Sequence, residues 1–123
     1  MNMETNIHIK IPLPIFLMAE CRQHPNMILA LLTEDQKRQV QDFVFDNLTY
    51  KDGSPEVTDL NVKRFQFDGE RHKGSFRLHF QISRRFCCSD ITGCNDDYLD
   101  FTFDYVKEEI HASAHYFQWN LDN

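Results

Sequence analysis

The spacing of apolar positions divides the chain into elements. Ile7, Ile9 and Ile11 alternate with His8 and Lys10, the period of a half-buried strand. Pro14 suits the first turn of a short helix running to Arg22, and His24-Pro25 ends it. Residues 27–32 are apolar throughout and read as one or two buried helical turns. Thr33-Glu34-Asp35-Gln36 then matches a capping box, in which a Thr cap and a Gln three residues on satisfy each other's backbone N–H groups. Glu34 and Asp35 suit the positive end of the helix dipole. Val40, Phe43, Val44 and Leu48 follow at helical spacing, so the pattern predicts a helix over 33–47, closed by the turn cluster Asp52-Gly53-Ser54-Pro55.

Beyond that turn the period changes to two. Leu60 and Val62 lie in one phase and Phe65 and Phe67 in the other, which predicts a long strand with a bulge near Lys63-Arg64. Phe76, Leu78, Phe80 and Ile82 alternate with polar residues, as do Leu99, Phe101, Phe103 and Tyr105. Phe117, Trp119 and Leu121 make a last alternating run. The expected fold is a single α+β domain over 1–123. An N-terminal strand and helices precede a four-stranded antiparallel meander, packed on one main helix as a curved-sheet roll. This layout resembles that of cystatin-like and NTF2-like folds.

Composition narrows the function classes. In 123 residues, 41% hydrophobic and 26% charged, only four Gly and four Pro occur, which is the make-up of a globular domain. No stretch reaches the ~20 apolar residues of a membrane helix. The run 11–19 is broken by Pro12 and Pro14 and does not read as a secretory leader, and Glu20 stands before Cys21 where a lipoprotein site needs a small residue. Adjacent Cys87 and Cys88 rarely bond to each other. Together with Cys21 and Cys94 they read as reduced thiols, and the expected location is cytoplasmic.

The net charge is −6, unevenly spread. Residues 1–60 carry five basic and nine acidic side chains, residues 61–85 seven and two, and residues 86–123 one and eight. A net acidic chain argues against direct nucleic-acid binding. Opposite charge on neighbouring strands also pairs favourably, and that accounts for part of the pattern.

Several constellations carry possible chemistry. Matching apolar faces in the hairpin of 76–85 with 98–106 puts His79 opposite Asp104 and Ser83 opposite Asp100. The final hairpin puts Asp104 opposite His111 and Asp100 opposite His115. The rows His79–Asp104–His111 and Ser83–Asp100–His115 would suit a metal or a proton relay, yet neither has a nucleophile elbow, and a solvated face of paired charges explains them as well. A helical turn at 108–115 would instead align Glu108, His111 and His115 on one face; the strand period outweighs it. Cys87, Cys88 and Cys94 lack the second half of a zinc site. No phosphate loop, dinucleotide fingerprint or HExxH occurs.

The expected function is a non-catalytic, acidic protein-binding domain, in its most concrete form an immunity-type inhibitor of a basic toxin or nuclease. No cofactor, metal or catalytic residue is expected. The expected partner-binding side chains are Asp96, Asp97, Tyr98, Asp100, Asp104, Glu108, Glu109 and Trp119, with Asp96, Asp97, Glu108 and Glu109 assigned to turns. Acids would set the association rate and aromatics the affinity. The alternatives are a small-ligand-binding or enzymatic roll with an aromatic pocket, and a metal-binding domain.

Overall fold

A computed structural model of the chain describes residues 6–48, 51, 53–85 and 92–116. Strand β1 (Asn6–Pro12) leads through a 3₁₀ turn (Ile15–Leu17) into α1 (Met18–Gln23), α2 (Met27–Leu31) and α3 (Glu34–Asn47). Strands β2 (Glu56–Asp68), β3 (Lys73–Arg85), β4 (Thr92–Val106) and β5 (Glu109–His115) follow. The chain is α+β, with one antiparallel sheet in the order β1-β5-β4-β3-β2. The sheet therefore has five strands rather than the expected four. β1 joins its edge because Ile7, Ile9 and Ile11 extend the inward face of Ile110, Ala112 and Ala114, to which they stand opposite.

Local chemistry sets each element. Thr33 Oγ1 accepts from the Gln36 N–H and Gln36 Oε1 accepts from the Thr33 N–H, both at 3.0 Å, so α3 starts where the capping box requires. Val40, Phe43 and Val44 turn its apolar stripe into the core. The bulge expected at Lys63-Arg64 is present: Lys63 faces Arg77, the next pair is Gln66 with Ser75, and Arg64 has φ 56°. A second irregularity lies between Thr58 and Asn61, with Asp59 also at φ 56°. Each inserted residue reverses the alternation, which is how Val57, Val62 and Phe65 all reach the same core.

The sheet curls around α3. Gln36 and Gln39 donate to the Lys10 and His8 carbonyls of β1, while Gln41 donates to the Val57 carbonyl of β2. A flat five-stranded sheet would hold its two edges ~19 Å apart, whereas Gln36 and Gln41 are separated by only ~7.5 Å of helix rise. Both edges must bend towards the helix. Inside the curl, Phe65, Phe67, Phe76, Phe101, Phe103 and Tyr105 pack ring on ring, with centroids 5.0 to 6.4 Å apart.

Two sequence expectations need correction here. In the β3–β4 hairpin His79 lies opposite Tyr98 and Ser83 opposite Cys94, a slip of six residues from the expected pairs. β4 begins at Thr92 and β5 at Glu109, so Asp96, Asp97 and Glu109 sit within strands and not in turns, and only Glu108 keeps its expected turn position. The strand period at 109–115, preferred over a helical turn, agrees with β5. The alternating run at 117–121, with Trp119, and the pair Cys87 and Cys88 lie outside the described residues.

Candidate functional site: two surfaces of opposite charge

The outer sheet face carries three transverse rows. Lys63, Arg77, Asp100, His115 and Asn6 form one, and Asp68, Lys73, Asp104, His111 and Lys10 another. Between them run Gln66, Ser75, Thr102, Ser113 and His8. The expected pairs of Asp104 with His111 and Asp100 with His115 are both present. The β3 positions are occupied by Lys73 and Arg77 in place of His79 and Ser83, and this changes the chemistry. Lys73 Nζ bonds Asp104 at 2.9 Å, and Arg77 grips Asp100 through Nε and Nη2 at 2.7 and 3.0 Å. His111 is hydrogen-bonded to Glu109 at 2.8 Å and His115 to Asn6 at 3.0 Å. Among the described residues no group of three His, Cys, Asp or Glu side chains is placed to hold a metal.

The expected partner-binding acids are largely engaged within the chain. Asp96 accepts from Gln81 at 3.2 Å. Asp97 is 9% exposed, because its parity in β4 is that of Leu99 and Phe101; it accepts from the Tyr116 hydroxyl at 2.7 Å and from the Tyr98 N–H at 2.8 Å. It is therefore removed from any docking surface. Burial, and then the bond to Asp97, hold the Tyr116 phenol far above its ordinary range, although buried Arg84 opposes the shift. Glu108 accepts from the Ile15 N–H through its carboxylate and from the Leu13 N–H through its carbonyl, both at 3.0 Å. Tyr98 stays half-exposed with the Arg77 guanidinium 3.9 Å over its ring.

A second surface was not foreseen. Between α3 and β2 opens a cleft of about 360 Å³ lined by Gln41, Asp42, Phe45, Pro55 and Glu56. Phe45 is 38% exposed, although its neighbours Phe43 and Val44 are buried. Asp42 and Glu56 have no ion-pair partner among the described residues, unlike Asp100 and Asp104. Asp46 lies one turn beyond Asp42 on the same exposed side of α3. The signal was legible in principle: Asp42 and Asp46 at i and i+4 bracket a Phe that falls off the apolar stripe.

No family model, curated protein or solved structure matches the chain. No described helix is long and apolar enough to cross a membrane.

Proposed function

We propose that this chain is a non-catalytic protein-binding domain whose partner is basic, in its most concrete form an immunity-type inhibitor of a toxin or nuclease, built as a curved-sheet roll of the cystatin-like or NTF2-like layout and working in the cytoplasm. The observation that carries the reading is the α3–β2 cleft, where the exposed Phe45 ring, with Lys51 Nζ 5.5 Å from its centroid, is flanked by Asp42 and Glu56, which have no ion-pair partner among the described residues. Exposed aromatic anchors in a charged rim are the chemistry of binding hot spots. Unpaired carboxylates attract a basic partner at long range, whereas Asp100 and Asp104 are already screened by Arg77 and Lys73. The interior rings pack against one another, which favours this reading over an aromatic ligand pocket.

The test is capture from the host lysate with tagged protein, followed by binding kinetics of the purified partner against salt. The expected result is a stoichiometric basic protein whose association slows as salt rises, and whose affinity falls at least ten-fold with Phe45→Ala. Retention indifferent to Phe45, Asp42 and Glu56 would overturn the assignment to this cleft. A captured partner that is acidic would overturn the reading itself.

A further inference from the structure

Beside the β2 bulge the outer face gathers cations that partner steering does not use. Lys63 and Arg77 stand directly opposite each other on β2 and β3, an arrangement that destabilises a sheet when nothing compensates it. Arg64 adds a third cation beside them. Its left-handed bulge conformation, φ 56°, brings it to a cleft of about 300 Å³ that is also lined by Gln66, Ser75, Arg77, Asp100 and Thr102. Among the described residues Asp100 is the one carboxylate lining this cleft, and both its oxygens are bonded to Arg77. The lining therefore holds two guanidinium groups against one carboxylate, with Lys63 paired across the strands to Arg77, in a chain of net charge −6.

We propose that this cleft, framed by Arg64 and Arg77 over the Ser75 and Thr102 hydroxyls, is a binding site for a phosphate-class oxyanion. The donors fit that chemistry. The Arg64 side chain makes no hydrogen bond or ion pair among the described residues, Arg77 keeps N–H groups beyond the two that Asp100 uses, and Gln66, Ser75 and Thr102 add an amide and two hydroxyls to the lining. The Arg77 guanidinium is fixed in advance, clamped between Asp100 and the Tyr98 ring. The cleft has the volume of the smallest ligand sites, room for a phosphate group together with a small group attached to it. His79 stands near enough to report on the site. Burial, then Lys63, Arg77 and Arg64, hold its imidazole below the ordinary value, with Asp96 opposing. An anion among those cations would lift that restraint. The site is independent of the α3–β2 cleft and of any protein partner.

The experiment follows the His79 ring signals by NMR in the full chain at constant pH near 6.5. Inorganic phosphate is titrated against chloride at matched ionic strength, then adenosine monophosphate against phosphate. The expected result is a saturable shift of His79 towards its protonated form with phosphate and not with chloride. Arg64→Asn, which keeps a residue tolerant of the left-handed backbone, should weaken phosphate binding about ten-fold. Adenosine monophosphate binding about ten-fold tighter than phosphate would assign the site to a phosphate monoester, and equal affinity to the free ion. His79 responding alike to phosphate and chloride would overturn the proposal, as would saturable binding unchanged in Arg64→Asn.

Discussion

At the scale of single residues, the most consequential side chains are polar ones facing inward. Asp97, Tyr116 and Arg84 lie on the core side of the sheet at one end of the roll, and Tyr116 also packs its ring on Phe80 with centroids 6.2 Å apart. A buried carboxylate that loses a hydrogen bond keeps its desolvation cost, so Tyr116→Phe should lower stability by about 1–3 kcal/mol in urea denaturation. The same tyrosine gives a pH signature. Its folded-state pKa is raised, as is that of Tyr105, where burial and then Glu108 are the causes. Above about pH 10 the unfolded phenols ionise while the folded ones keep their protons. The folded state then binds more protons, and stability falls as pH rises. Tyr116→Phe should flatten that alkaline loss; an equal slope in wild type and variant would contradict the buried bond. Asp97 also explains a misreading of the sequence. Asn95-Asp96-Asp97 has the composition of a turn, yet Tyr116 and Gln81 supply partners that let Asp97 and Asp96 continue the strand.

At the scale of elements, the alternation fixed the register of one hairpin and not of the other. The β4–β5 turn at Lys107 and Glu108 contains no Gly, Asn or Pro, but clean patterns on both sides placed Asp104 opposite His111 correctly. Both turn residues have positive φ, 53° and 57°, where side chains are strained. Glu108 is held there by its bonds to Leu13 and Ile15, so position 107 is the one open to relief. Lys107→Asn should therefore raise stability by up to about 1 kcal/mol, read as a higher melting temperature. The β3–β4 register was not legible because the early, polar part of β4 lacks the alternation that marks its later half. Gly74 marks a tighter constraint. A Cβ there would come within 2.3 Å of both the Phe103 ring and the Gln66 carbonyl oxygen. The backbone oxygen has little room to retreat, so Gly74→Ala should cost about 1–3 kcal/mol in the same denaturation assay. The helix α3 was legible almost to the residue, since its cap is a local signal that tertiary packing did not override.

At the scale of the whole molecule, the curl of the sheet separates two charged surfaces that no linear reading could place. Gln36, Gln39 and Gln41 each donate to an edge-strand carbonyl, which protects both edges from pairing with another chain and leaves the α3–β2 cleft as the acidic opening. The sequence located the acids correctly by segment, but pairing is a property of register. Asp100 and Asp104 are paired, and among the described residues Asp42 and Glu56 are not. These facts set the two surfaces against each other in one experiment on a captured basic partner. Asp42→Asn with Glu56→Gln removes negative charge beside Phe45 that has no ion-pair partner among the described residues. It should slow association several-fold at low salt and reduce the salt dependence, with little change in folding stability. Asp100→Asn with Asp104→Asn breaks two surface pairs, each worth at most about 1 kcal/mol, and leaves Arg77 and Lys73 uncompensated on the opposite face. If the cleft is the docking surface, that second variant changes the association rate less than the first, because its charges lie on the far side of the sheet from the contact. A larger effect from Asp100 and Asp104 would move the partner to the outer face and make the Arg77–Tyr98 stack its anchor.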